Sequence, residues 1–128
     1  MPSTIKFGFL LLVLSQVAHS VEEYLHSLWE VLALARFASR LIASDPAVGF
    51  IILNTALVLF AFWTYFWPVS RNWSSARRFL WFWIVLEVAN SVAHVMFALG
   101  ARGYFPGIYT APLLFALACY LAVTLRRA

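Results

Sequence analysis

The sequence predicts an all-α integral membrane protein built as a bundle of four transmembrane helices. Three observations lead there. Hydrophobic residues fill 64% of the 128 positions and charged residues only 11%, against about 25% charged in soluble domains, and the mean hydropathy is +0.87. The apolar residues gather into four runs, 5–35, 47–67, 78–99 and 108–125, near or above the roughly 20 residues a helix needs to cross the hydrocarbon core. Most of the nine Lys and Arg residues sit near the ends of those runs, where interfacial anchors belong. Without an internal repeat or low-complexity segment, the chain reads as one domain, residues 1–128.

The first run starts beside Lys6 and reads as one helix to about position 35, roughly 45 Å long at 1.5 Å per residue. That exceeds the hydrocarbon thickness of about 30 Å, so its later turns lie at depth or emerge at an interface. A rival reading takes Lys6, the following FGFLLLVL and the small residues at Ala18 to Ser20 as a secretory signal. Cleavage there would separate His19 from the residues that follow it. Arg36 and Arg40 then fall in a basic loop, and Ser44, Asp45 and Pro46 start the second helix. Pro68 ends that helix, and Ser70 to Arg78 supplies three arginines and a serine cap. The third helix closes at Gly100 and Gly103, and Tyr104 to Gly107, YFPG, makes a turn. Pro112 is tolerated in the first turn of the fourth helix, and Arg126 and Arg127 anchor its end. Basic residues number six on the side of the termini (Lys6, Arg71, Arg77, Arg78, Arg126, Arg127) and three opposite (Arg36, Arg40, Arg102). The positive-inside bias therefore predicts a multi-pass protein of the cell membrane with both termini in the cytoplasm.

The residues that break the apolar pattern form two stripes. At about 100° per residue, His19, Glu22, Glu23, His26 and Glu30 fall within one arc of roughly 100°. On the third helix, Glu87, Asn90, Ser91 and His94 share a face in the same way. The two stripes hold all three histidines and four of the five acidic residues. An ionisable side chain within a span costs several kcal/mol unless it is paired or lines a cavity, so both stripes are expected to turn inward and the first helix to pack against the third. Asn54 reads as a hydrogen-bond partner between helices. The lone Cys119 cannot form an internal disulfide and reads as a packing residue.

His19, Ser20, Val21, Glu22 and Glu23 spell a motif that resembles the HXXEE-domain family of small polytopic bacterial membrane proteins. Asn90 with His94, the Tyr104 to Gly107 turn and Thr110 are similar to that family's later pattern. The resemblance extends from the first helix to the start of the fourth. It implies a polytopic membrane fold but no established activity. His26, Glu30 and Glu87 do not come from it and rest on spacing alone.

Carboxylate and imidazole together suit a divalent metal, Zn, Fe or Mn, with His19, Glu22, Glu23 and His94 as expected ligands and His26 and Glu30 as more distant ones. A two-metal carboxylate site in a helical bundle needs a Glu-x-x-His pair from each of two helices; here the order of His19 and Glu22 on the first helix is reversed and no second Glu-x-x-His appears, which favours one metal. The leading expectation is a metal-binding enzyme acting on a lipophilic small molecule, with Glu22, Glu23, Glu87 and Asn90 in catalytic roles. An alternative without metal uses the same groups as general acid and base in isomerisation or cyclisation of a sterol-like or isoprenoid-like substrate, with the Trp81, Phe82, Trp83 cluster facing a cationic intermediate. A proton or metal-ion transporter subunit is a third class, which four short helices serve best within an oligomer or with a partner subunit. Expected partners are the lipid bilayer and a lipophilic small molecule. Nucleic acid is excluded, because the aromatics lie in membrane-length segments and not beside a solvated basic face.

Overall fold

The computed structural model describes residues 1–128 and contains helices without strands. Helix α1 spans Ser3–Leu25, the short α2 Leu28–Val31 and α3 Ala33–Ile42. They are followed by α4, Pro46–Thr64, α5, Ala76–Ala101, and α6, Ala111–Arg127. Three segments are long and apolar enough to cross a membrane: Ser3–Leu25, Pro46–Val69 and Ala76–Ala101. The fourth expected span coincides with α6, which has 17 residues and carries Arg126 and Arg127 in its last turn.

Each long helix buries one stripe. On α1, Ile5, Phe9, Leu12 and Val13 recur at helical spacing and meet Leu80, Trp83 and Ile84 of α5 and Leu114, Ala118, Leu121 and Leu125 of α6. Farther along, the same stripes turn polar: Gln16, His19 and Glu23 on α1, and Glu87, Ser91 and His94 on α5, are all buried. The bundle therefore has an apolar half towards the termini and a polar half towards the Tyr104–Gly107 turn. Outward-facing side chains such as Leu59, Val85 and Met96 are exposed by 63%, 63% and 65%, which is consistent with helices solvated by lipid.

Two expectations about the first run are corrected. The helix does not continue to position 35: Ser27 adopts a left-handed conformation with φ 52°, and α2 then packs Leu28 and Trp29 against Phe50 and Phe105 in a second small core. Arg36 and Arg40 lie on a helix, α3, and not in a loop; Arg36 donates to the carbonyls of Trp29 (3.0 Å) and Glu30 (2.6 Å), so it caps the open end of α2.

The remaining elements start and stop as their residues dictate. Asp45 caps α4, its side chain accepting from the Ala47 N–H at 2.9 Å with Pro46 next to it. Pro68 lacks an N–H and falls in a π-helical turn, Tyr65–Val69, which widens the ladder around it. Helix α5 ends at Arg102 in a left-handed conformation, φ 54°, although glycines stand on either side. Ser75 heads α5 without a capping side-chain bond. Asn54 donates to the Phe50 carbonyl of its own helix at 3.2 Å and does not bridge helices.

Packing order also differs from expectation. The backbone of α1 lies against α6 and α4, and α5 lies against α6. The stripes of α1 and α5 meet across the interior through their long side chains.

Candidate metal centre

His19 and Glu23 are one turn apart on α1 and both are buried. One Glu23 carboxylate oxygen lies 3.4 Å from His19 Nε2, and the other lies 3.4 Å from His94 Nε2 on α5. The two imidazoles meet edge to face, with centroids 4.6 Å apart and planes at 90°. Ligand atoms from all three residues fall within 4.8 Å of one another. A separation of 3.4 Å is longer than a good N–H···O hydrogen bond of about 2.7–3.2 Å. It matches the edge of a coordination tetrahedron, roughly 3.3–3.6 Å for bonds of about 2.0–2.2 Å. The three groups are thus placed compatibly with a shared metal ion. His94 Nδ1 is buried without a hydrogen-bond partner.

Glu22 points elsewhere and stands outside the group of His19, Glu23 and His94. Its carboxylate accepts from five donors on the loop before α6. Oε2 takes the Tyr104 hydroxyl (2.7 Å) and the N–H groups of Gly107 (2.9 Å) and Tyr109 (3.2 Å); Oε1 takes the Thr110 N–H (3.0 Å) and hydroxyl (2.7 Å). With its lone pairs occupied, it sits at the N-terminus of α6, where backbone donors and the helix dipole favour an anion. Partial burial, followed by the bond to Glu22, raises the Tyr104 phenol above its ordinary range, so it remains a donor.

Thr110 also lies 2.7 Å from His19 Nδ1, and Asn90 Nδ2 lies 3.2 Å from His19 Nε2. Both ring nitrogens of His19 are therefore addressed, one from the loop and one from α5. Gly107 closes the back of the pair: a Cβ there would come within 2.6 Å of His94 Cε1 and 2.7 Å of His19 Cε1.

Glu87 is buried but stands outside the three-residue group. With the Gln16 amide turned to satisfy both neighbours, its nitrogen donates to both Glu87 oxygens at 3.0 Å and its oxygen accepts from Ser20 at 3.0 Å. Glu23, Glu87, Asn90, Asn54 and Gln16 line one open cavity of about 340 Å³, together with Leu57, Leu86 and Ala89. Gln16 was not singled out by the spacing reading, although it lies one turn before His19 on the same face. Its signal is an amide on a buried stripe.

His26 and Glu30 do not join. Both are exposed; His26 Nδ1 contacts the Glu22 carbonyl at 3.0 Å and its ring packs on Tyr104. The break at Ser27 carries Glu30 away from the stripe. The aromatic cluster is likewise not at the cavity. Trp83 is buried in the apolar core with its indole N–H on Thr64 at 3.1 Å, Trp81 lies beneath Arg126, and Phe82 is exposed.

Comparison with curated proteins finds no match, and comparison with solved structures finds none either. A family model, described as a protein of unknown function with HXXEE motif, matches residues 10–122. That span takes in His19, Glu22, Glu23, Asn90, His94 and the loop that holds them together, and the chain belongs to the HXXEE family.

Proposed function

We propose that the protein is a membrane metalloenzyme in which His19 Nε2, Glu23 and His94 Nε2 hold one divalent cation, Zn, Fe or Mn, beside a cavity that receives a lipophilic small molecule. The observation that carries this reading is the placement of Glu23, whose two oxygens stand at 3.4 Å from the two imidazoles while the same carboxylate lines the 340 Å³ cavity. Two histidines and one carboxylate with a free coordination position are the donor set of catalytic zinc sites and of non-haem iron sites. A cation so held supplies Lewis-acid chemistry. The chain's own groups do the rest: Asn90, whose amide nitrogen lies 3.2 Å from His19 Nε2, lines the cavity beside the cation, and Glu87, held by Gln16, is the proton-transfer group.

The lipophilic character of the substrate is supported by the apolar groove that adjoins the cavity's walls. They come from α1, α4 and α5, and Asn54 is shared with a second, apolar groove of about 270 Å³ between α1 and α4, lined by Val17, Val21, Phe50 and Leu59. Such a site is entered from the bilayer side. In this reading the 128 residues form one membrane domain and α6 is its fourth crossing. Arg77 near the start of α5 donates to the Leu125 carbonyl near the end of α6 at 2.8 Å, which supports α6 running back along α5.

Elemental analysis of the detergent-purified protein tests the metal. One ion per chain is expected in wild type, lost in His94→Ala and Glu23→Gln and retained in Glu87→Gln. Wild-type protein without stoichiometric metal overturns the reading. The shared Glu23 and Glu87 cavity would then favour the acid-base isomerase or cyclase. A metal- or proton-coupled flux in liposomes that His94→Ala abolishes would favour a transporter subunit.

A further inference from the structure

We propose that Glu22, acting through Thr110, is the positioning residue that fixes the His19 ring so that Nε2 presents its lone pair to the cation; this rests on the metal reading above. The assignment follows from counting protons. Thr110 Oγ1 lies 2.7 Å from Glu22 Oε1 and 2.7 Å from His19 Nδ1, and 3.3 Å from the Gly107 carbonyl. A hydroxyl has one proton to give. The Glu22 carboxylate already accepts from the Tyr104 hydroxyl and three backbone N–H groups, so it is an acceptor towards Thr110 as well. The two contacts are equal in length, and the hydroxyl proton goes to Glu22 because that bond is charge-assisted. The oxygen's lone pairs remain for His19, which must donate from Nδ1. A neutral ring protonated at Nδ1 has its lone pair on Nε2, the nitrogen that faces Glu23.

The opposite assignment fails locally. If Nδ1 were the acceptor, Thr110 would give its proton to His19, leaving two oxygens 2.7 Å apart with no proton between them. Asn90 agrees with the first assignment, since its amide nitrogen, a donor, lies 3.2 Å from Nε2. Metal-bound histidines commonly donate their other N–H to a carboxylate that orients the ring. Here a threonine hydroxyl is interposed, because Glu22 is held by the loop and Thr110 stands at the N-terminal end of α6 between the two. His94 has no counterpart, its Nδ1 being unpartnered, so the ordering of the ligand pair depends on His19.

Two readouts test this, one of them independent of metal. Nitrogen-15 NMR of histidine-labelled protein in nanodiscs without added metal should give His19 as the Nδ1–H tautomer in wild type and in Thr110→Ser, and lose that preference in Thr110→Val and Glu22→Gln. Zinc titration should show affinity reduced by about 10- to 100-fold in Thr110→Val, and within a few-fold of wild type in Thr110→Ser. An Nε2–H tautomer in wild type overturns the proposal even if Thr110→Val fails to fold. So does wild-type zinc affinity in Thr110→Val while His94→Ala abolishes binding, a result that leaves the metal reading standing. Absence of zinc binding in wild type sinks the metal reading, and with it the purpose proposed for the relay.

Discussion

Gly107 is the residue at which backbone conformation and site geometry are most tightly joined. Its φ is +96°, a region that costs a residue with a Cβ of the order of 1–3 kcal/mol. A methyl group added there would also lie 2.6–2.8 Å from atoms of both imidazoles. The two rings approach each other because no side chain separates them, and the Gly107 N–H holds Glu22 at the same time. Gly107→Ala is expected to lower the thermal midpoint in detergent and to weaken zinc binding by more than about 10-fold, since even a small misplacement of one ligand is felt by the whole set. Gly103→Ala is the control, because nothing lies within 4 Å of that position; both quantities should stay at wild-type values. At this scale the spacing of His19, Glu23 and His94 was legible in the sequence. The division of labour between Glu22 and Glu23 was not. Adjacent glutamates differ by 100° around the helix, and only the folded loop decides which one meets five donors and which one meets two imidazoles.

At the scale of elements, the break after α1 shows why helix length could not be read from residue types. Residues 26–32, HSLWEVL, contain no proline or glycine, and on local propensity the helix should continue. It stops because Leu28 and Trp29 find burial against Phe50 and Phe105, a long-range contact that outweighs one unfavourable φ at Ser27. Helix α3 is then carried back onto α4, and the approach is close: a Cβ on Gly49 would fall 1.9 Å from the Ser39 carbonyl oxygen. Gly49→Ala therefore forces α3 off α4 and is expected to cost about 1–3 kcal/mol, the range for overpacking. Because Gly49 touches none of the His19, Glu23 and His94 set, zinc affinity should survive. A thermal melt paired with a zinc titration separates the two effects. An unchanged melt would show that α3 does not need this contact, and a lost affinity would show that α3 supports the site from a distance. By contrast, the start of α4 at Asp45 and Pro46 was legible, since it acts through local backbone chemistry, whereas the α-helix gives way after Thr64 and Pro68 falls inside the π-helical turn and not at its end.

For the molecule as a whole, three segments long and apolar enough to cross a membrane make the number of crossings and their orientation directly testable. Segments of 23, 24 and 26 residues are long enough on hydropathy alone. Helix α6, at 17 residues, spans only about 26 Å at 1.5 Å per residue, short of the roughly 30 Å core. Its two terminal arginines can snorkel to the interface and make up the difference. Three long-range contacts gather one end of the bundle: Met1 to Asn72 (3.0 Å), Lys6 to the Ser70 carbonyl (2.9 Å) and Arg77 to the Leu125 carbonyl (2.8 Å). That end holds Lys6, Arg71, Arg77, Arg78, Arg126 and Arg127, whereas Arg36, Arg40 and Arg102 lie in the segments that join the helices at the other. If α6 crosses, both termini share the more basic side, which the positive-inside rule assigns to the cytoplasm. With Cys119 replaced by alanine, single-cysteine variants Ser74→Cys, Gly103→Cys and Ala128→Cys can be labelled with a membrane-impermeant thiol reagent in inside-out and right-side-out vesicles. Positions 74, 103 and 128 are all exposed. Four crossings predict that 74 and 128 react only in inside-out vesicles and 103 only in right-side-out ones. Should 128 react on the same side as 103, α6 does not cross and the bundle is a three-span protein with its last helix folded against one leaflet. Should 74 react in right-side-out vesicles, the orientation is inverted and the site opens towards the opposite face.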